Sequence, residues 1–426
     1  MMFAAFAGLL VAIGIGIPIA FALSTISILV LWHSDVSMLI PVQRIYQGTN
    51  KFPLLAVPLF IFAGSLMNQA DISRRLVDFA ATMVGRMRGG LAAVNIITSM
   101  LFAGMSGTSM SDTAAVGGVM IPNMVKRGYD RAFTAAVTAS SSTIGILIPP
   151  SLPMVVLASY MGVSTGALFI AGVIPGLLVG FGLIAAAWVI SVRREYPVEE
   201  PFRLGRFLYA LVSAAPPLLM PLIIIGGILG GVFTATEAAG VACVYGIFAG
   251  FFIMRTLNLK KLYLAVRDAA ILTGATLFVT ATAHVLGYTF TFQLYSDTVM
   301  GYFDTAQMSA IGVLLSLSLV MILLGIFLDG FAMMFIVVPL FLPTATAMGI
   351  EPIHFAMVLI MCWGIGQQTP PMASALFLTS LMARVDVITI TKANVWFILV
   401  MVLVLALVIF FPYWTVLWLP HQSGLL

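Results

Sequence analysis

Charge is scarce in this sequence: 8% of its 426 residues are Asp, Glu, Lys or Arg, against about 25% in a soluble globular domain. A fully solvated fold is thereby excluded. Long polar stretches are also missing. The longest runs from about Arg193 to Arg206, too short to be a soluble domain. Cysteine is limited to Cys243 and Cys362, both inside apolar runs and read as buried filler. The four histidines (33, 284, 354 and 421) show no metal spacing, so no transition-metal site is expected. The N-terminus has no basic leader, and the apolar run from Met2 to Trp32 is too long for a cleavable signal core.

What the chain has instead is apolar length. Hydrophobic residues make up 62%, and runs of 18 or more can each cross about 30 Å of hydrocarbon. Spans are expected over 3–31, 52–70, 132–162, 166–191, 207–232, 236–254, 269–290, 353–384 and 393–420. Two further apolar segments, 91–122 and 308–347, are interrupted, the first at Ser106-Gly-Thr-Ser109 and the second around Gly325 to Gly330. A helix of 32 residues would be about 48 Å long, too long for one ordinary crossing.

Basic residues gather in cytoplasmic loops. If 91–122 enters and leaves by one face as a hairpin, seventeen of the nineteen basic residues fall on one side, and only Arg44 and Lys51 lie elsewhere. Segment 308–347 is flanked by Asp297, Asp304 and Glu351 and becomes a hairpin from the opposite face. The N-terminus is then cytoplasmic and the C-terminus periplasmic.

An offset of 221 residues superposes Pro122 on Pro343, Gly128 on Gly349, Asp130 on Glu351, Gly145 on Gly366 and Pro149-Pro150 on Pro370-Pro371. Inverted repeats with discontinuous helices mark secondary transporters. The fold class read from this is an all-α polytopic membrane protein: inverted repeats, two re-entrant hairpins, two broken helices and an elevator-type ion-transporter fold. Repeat 1 covers 1–191, with hairpin 91–122 and broken helix 132–162. A loop and helix at 192–235 connect it to repeat 2, 236–426, with hairpin 308–347 and broken helix 353–384. The moving unit is expected at about 91–165 plus 308–385, with the remainder as scaffold. Polar arms 71–90 and 291–307 tether it; the first, Asp71-Ile-Ser-Arg-Arg-Leu-Val-Asp-Phe79, is amphipathic.

Broken backbone at membrane depth survives only when buried in protein or lining a cavity. Helix C-terminal carbonyls and hydroxyls suit a hard cation, and helix N-termini suit an anion. Sodium ligands are therefore expected among Ser106, Gly107, Thr108, Ser109, Ser142, Gly145, Asp329, Gly330, Gly366 and Thr369. Substrate contacts are expected among Ser111, Asp112, Ser140, Ser141, Pro150, Ser151, Gln367, Gln368 and Pro371. Asp112 and Asp329 are the only acids deep in apolar segments, each a cation ligand, a helix cap or a proton site. Glu237 is expected to cap helix 236–254, and His284 to be a satisfied core histidine. No Lys or Arg lies in a hairpin or kink, so an anion would be held by dipole ends, hydroxyls and co-bound cations.

Ser106-Gly-Thr-Ser-Met-Ser-Asp-Thr-Ala-Ala-Val-Gly117, Ile148-Pro-Pro-Ser151 and Gly366-Gln-Gln-Thr-Pro-Pro371 resemble the large membrane subunit of tripartite ATP-independent periplasmic (TRAP) transporters, over essentially the whole chain. The resemblance implies an inner-membrane importer of carboxylates such as C4-dicarboxylates or sialic acids, driven by sodium and needing no other cofactor. It implies two protein partners, a small four-helix membrane subunit and a periplasmic substrate-binding protein, and no nucleic acid. The pattern departs at Ala373, where Gly is frequent, and at Asp112, which points away from sialic acid. Two other readings are a standalone sodium–dicarboxylate carrier and an intramembrane serine protease, the latter from Gly104-Met-Ser106-Gly107 with His284 as a distant base.

Overall fold

The structure is a computed structural model that describes residues 2–84, 87–198, 201–305, 307–371 and 373–425. Arg86, counted above with the basic loops, lies outside the described residues, as does the side chain of Asp304. Among the described residues, regular secondary structure is helical apart from one isolated bridge pairing Arg88 with Val198.

In chain order the helices are α1 (Met2–Gly14), α2 (Ile19–His33), α3 (Leu39–Thr49), α4 (Ala56–Gln69), α5 (Ile72–Val84), α6 (Gly90–Ser106), α7 (Ser109–Lys126), α8 (Arg131–Ser142), α9 (Leu152–Met161), α10 (Thr165–Arg193), α11 (Leu204–Leu229), α12 (Ala235–Phe248), α13 (Leu259–Phe292), α14 (Tyr295–Thr305), α15 (Ala310–Phe327), α16 (Gly330–Ala347), α17 (Pro352–Gly366), α18 (Ser374–Ala383) and α19 (Val387–Phe410). Among the described residues, eight helical segments are long and apolar enough to cross a membrane. Large apolar side chains such as Phe181, Leu222, Phe252 and Trp396 are exposed on their outer faces, which water would not tolerate over so wide an area.

The expected span 3–31 is two helices, not one. Gly16 takes a left-handed φ of 88°, and Pro18, which has no N–H to donate, precedes α2. Helix α3, with Pro41 inside it, was not anticipated. The connecting helix begins at Leu204 rather than 207 and ends at Leu229 rather than 232. Both interrupted segments are helix pairs joined by two residues: α6 with α7, and α15 with α16. The segments expected to bend do so, α8 to α9 through a 3-10 turn at Thr143–Ile146, and α17 to α18 through Gln367–Ala373. Element order repeats: arm, helix pair, broken helix and long helix follow α4 and again follow α13. The arm α5 buries Ile72, Leu76 and Phe79 while Arg74 and Asp78 face out, and Arg75 Nη1 donates to Ser213 O of α11 at 3.2 Å. Glu237 completes a capping box with Thr234 at the start of α12.

Packing sorts the helices into two groups. Helices α2, α3, α4, α12 and α13 pack on one another, with α11 against α12, and form a frame. Helices α6–α9 and α15–α18 form a second bundle. The expected partition placed 166–191 and 393–420 with the frame. The structure packs α10 mainly on α6 and α19, and α19 mainly on α8, α10 and α17, so both belong to the bundle. The physical reason is close approach: a Cβ at Gly180 would lie 2.5 Å from Met100 Sδ of α6, and one at Gly182 2.6 Å from Val400 Cγ1 of α19.

Candidate functional site

Helix α6 stops because Gly107 turns left-handed, φ 62°, a conformation that costs little only without a Cβ. A Cβ there would also lie 2.7 Å from Pro150 O. Gly107 O accepts from Leu152 N at 3.0 Å, so the first tip grips the linker of the first broken helix. Thr108 starts α7 as its N-cap, Oγ1 accepting from Ser111 N at 3.3 Å. Ser109 and Ser142 hydroxyls pair at 3.1 Å, and a Cβ on Gly145 would lie 3.3 Å from Thr108 O. Tip and kink are thus in direct contact.

At the second tip Asp329 is the N-cap of α16, accepting from Phe331 N at 3.1 Å. Gly330 lies against the Trp363 indole with no room for a Cβ, and Gly366 meets the Gly325 backbone, where a Cβ would fall 2.6 Å from the carbonyl carbon. Thr369 Oγ1 donates back to Ile365 O at 3.1 Å. Both Pro-Pro bonds, Pro149–Pro150 and Pro370–Pro371, are cis. Neither pair starts the following half-helix: α9 has Pro153 in its first turn and α18 begins at Ser374.

Two neighbouring cavities meet at the tips. One, about 160 Å³, lies between α4, α13, the first tip and the Pro150–Leu152 linker, and is lined by Ser106, Gly107, Thr108, Ser111 and Pro150. The other, about 140 Å³, shares Thr108, Leu152 and Leu272 with it and adds Ser109, Asp329, Trp363 and Gln367. Neither is lined by Lys or Arg among the described residues. Asp268 on the wall of the first is bonded by Arg267 at 2.8 Å. Ser106 Oγ and Gln367 Nε2 are buried without a hydrogen-bond partner. The N-termini of α7 and α16 open onto this space, so it offers hydroxyl oxygens to a hard cation and amide N–H groups to an anion.

The remaining expected residues lie behind the cavities. Ser140 Oγ is 2.8 Å from Gln368 Oε1 and 2.5 Å from Asn394 Oδ1, its one proton serving one of them, and Asn394 Nδ2 donates to Gln368 Oε1 at 2.8 Å. This buried network joins both broken helices to α19. Ser141 accepts from Ser99 Oγ at 3.0 Å, and Ser151 Oγ donates to Ile146 O at 2.8 Å. Asp112 is fully buried, its carboxylate set beside the Ser99 hydroxyl and accepting from no backbone N–H, so it does not cap α7. Pro371 is exposed and lies with Ile13, Gly14, Phe327 and Leu328 at a separate apolar cavity on the outer side of the second tip, apart from the two tip cavities. Asn394, Trp363 and Ser99 were missed; a polar side chain inside an apolar run was the available signal for the first and last. Ser106 makes no contact with a base, and His284 Nδ1 is bonded to Thr280 O at 2.9 Å, so no Ser–His pair exists.

Residues 6–414 match the family model for "Tripartite ATP-independent periplasmic transporter, DctM component". The chain is 36% identical to the C4-dicarboxylate TRAP transporter large permease protein DctM of Vibrio cholerae, over 95% of this chain and 94% of that protein. It is 35% identical to the sialic acid TRAP transporter large permease protein SiaM of the same organism, covering 94% of each. Among solved structures, the YdaH transporter of Alcanivorax borkumensis shares the fold, with a TM-score of 0.63 at 15% identity over 87% of this chain and 86% of that one.

Proposed function

Because this chain belongs to the DctM family of TRAP transporter large permeases, we propose that it imports a small carboxylate across the bacterial inner membrane in symport with sodium. A small four-helix membrane subunit and a periplasmic binding protein are its partners. The observation that carries this reading is the pair of tip cavities: hydroxyls, an orphaned Ser106, two helix N-termini and one tip carboxylate converge with no fixed cation. A carboxylate entering that space needs N–H dipoles and a co-bound cation, which supports sodium coupling. The C4-dicarboxylate and sialic acid relatives support a carboxylate as the substrate. Reconstitution with the cognate partners, and uptake of labelled carboxylates with and without a sodium gradient, tests it. Uptake that ignores both sodium and the binding protein would sink the reading.

The helix pairs are read as re-entrant. The start of α6 and the end of α7 sit together: Arg88 bridges Val198, Arg194 pairs with Asp130 at 3.4 Å, and Arg131 donates to Ala383 O at 3.4 Å. Loops so rich in Arg and Lys belong in the cytoplasm. Arg88→Cys and Lys126→Cys should both react with an impermeant maleimide from the cytoplasmic side, and Asp297→Cys and Glu351→Cys both from the periplasm. Reaction of the first pair from opposite sides would eliminate the first re-entrant hairpin.

Asp329 is assigned to the sodium site of the second tip. Asn also caps helices well, so Asp329→Asn keeps the helix start and removes the charge. The expected outcome is a sodium half-saturation for uptake raised about tenfold, the equivalent of about 1.4 kcal/mol, with the thermal midpoint nearly unchanged. An unaltered sodium dependence would leave Asp329 as a cap alone.

The mechanism is an elevator in which the bundle α6–α10 and α15–α19 moves past the frame. Support comes from the site itself, built on bundle residues and covered by frame helices α4 and α13 on one side only.

A further inference from the structure

A third cavity, about 530 Å³, lies in the seam between frame and bundle and shares no lining residue with either tip cavity. Its frame wall comes from α3 and α13, and its bundle wall from the end of α9 and the second half of α16. Arg44, Lys51 and His284 all line it, and no acid does among the described residues. Arg44 and Lys51 are the two basic residues outside the cytoplasmic groups, so this mouth faces the periplasm in the topology proposed above.

The side chains are held in place. The Arg44 guanidinium lies 4.4 Å from the centroid of the Tyr288 ring, a geometry that fixes its plane. Lys51 Nζ donates one bond, to Ser159 O at 3.0 Å, which leaves two donors. Partial burial pushes its ammonium below the ordinary lysine value, as expected where no counter-ion is supplied. His284 is gripped by Thr280 O and by the Tyr160 ring, edge-on at 4.9 Å, and Gly48 leaves no room beside it, since a Cβ would come within 2.7 Å of the imidazole. Its Nε2 is buried with no hydrogen-bond partner. Because Nδ1 must donate to the Thr280 carbonyl, Nε2 is an acceptor and adds nothing to anion binding. The case rests on the two cations, since a cavity lined by a fixed Arg and a fixed Lys and by no acid among the described residues lacks one component, an anion.

We propose that this cavity is a second carboxylate-binding site, which takes a small carboxylate from the periplasmic side before it reaches the tips. The proposal rests on the carboxylate reading above. Because one wall is frame and the other bundle, movement of the bundle opens the site, and a bound carboxylate is released at the seam where the tips would arrive. An acidic lipid headgroup offers the same chemistry, and the experiment separates the two.

The test uses the full chain in phosphatidylcholine nanodiscs with Thr291→Cys on the cavity rim, and follows its maleimide reaction rate without sodium. Succinate should slow the reaction at least threefold and saturably, and neutral succinamide should not. Arg44→Gln with Lys51→Gln should abolish the protection while the thermal midpoint is kept, and Lys51→Arg should retain it. Ser106→Ala with Thr108→Ala, in the tip cavity, should lose uptake but keep the protection, so failure of the transport reading and failure of this one are told apart. No effect of succinate, or equal slowing in the Arg44/Lys51 variant, overturns the site. Slow reaction in phosphatidylglycerol discs without succinate, reversed by the Arg44/Lys51 variant, assigns the cavity to a lipid headgroup and overturns the carboxylate.

Discussion

Gly366→Ala is expected to abolish uptake and to lower the thermal midpoint, while its repeat mate Gly145→Ala is expected to do far less. The difference is geometric. A Cβ on Gly366 would lie 2.6 Å from Gly325 C, 2.7 Å from Gly325 Cα and 2.8 Å from Gly325 O, all backbone atoms of α15 that cannot rotate away. A Cβ on Gly145 would meet Thr108 O at 3.3 Å, which a shift of a few tenths of an ångström relieves. Overpacking a close-packed interior costs about 1–3 kcal/mol, occasionally more. Here the cost falls where α15 and α17 cross, just ahead of Leu328–Gly330 and Gln367, so the second tip is displaced from Trp363 as well. Gly118→Ala is the control: nothing lies within 4 Å of its Cβ, and alanine inside a helix is neutral or stabilising by up to about 1 kcal/mol. Uptake in proteoliposomes and thermal unfolding of the purified protein measure all three. Gly366→Ala with normal uptake would mean that α15 and α17 do not need this contact.

Much of the fold was legible because membrane helices advertise their length, and because breaks in them require Gly, Pro, Ser and Thr. Ser106-Gly107-Thr108 announced a turn: the left-handed Gly107 and the N-cap Thr108 are what the sequence pattern implies. The break between α1 and α2 was equally visible, in Gly14, Gly16 and Pro18, but continuous hydrophobicity masked it. Helix α3 was hidden for the opposite reason, since Gln43, Arg44 and Gln47 made it resemble a loop.

The site was legible as a set of segments and less so as a set of side chains. Hydroxyls in the Ser140–Thr143 run have nearly equal sequence standing, yet helical periodicity sends them to different partners: Ser142 to Ser109 at the tip, Ser141 to Ser99, and Ser140 to Gln368 and Asn394. Nothing local distinguishes those fates, because each depends on which distant helix packs against that face. The same holds for α10 and α19: both read as scaffold spans, and the close approaches at Gly172, Gly176 and Gly180 of α10 and the buried bonds of Asn394 in α19 tie them to the bundle. Pro371 shows the limit of the repeat argument: it superposes on Pro150, which lines the tip cavity, yet it faces outward beside α1.

A disulfide across the seam is expected to stop transport, while disulfides inside either group leave it running. A Cβ on Gly104 of α6 would lie 2.8 Å from Pro221 Cβ of α11, one on Gly182 of α10 lies 4.0 Å from Val400 Cβ of α19, and one on Gly246 of α12 lies 3.8 Å from Leu66 Cβ of α4. Disulfides need a Cβ–Cβ separation of about 3.5–4.5 Å. The two intragroup pairs therefore close without strain, and the seam pair closes once α6 and α11 part by about 1 Å. Cys243 and Cys362 are buried and should not compete. On oxidation, Gly104→Cys with Pro221→Cys should lose uptake and regain it with reductant, which separates locking from misfolding. Gly182→Cys with Val400→Cys, and Leu66→Cys with Gly246→Cys, should transport in both redox states. An elevator must carry its tips past the frame, so one covalent bond across the seam holds it on one side of the membrane. A site that stays fixed while gates open around it could tolerate that bond. Complete seam cross-linking with uptake intact would therefore remove the elevator and leave a gated, stationary site.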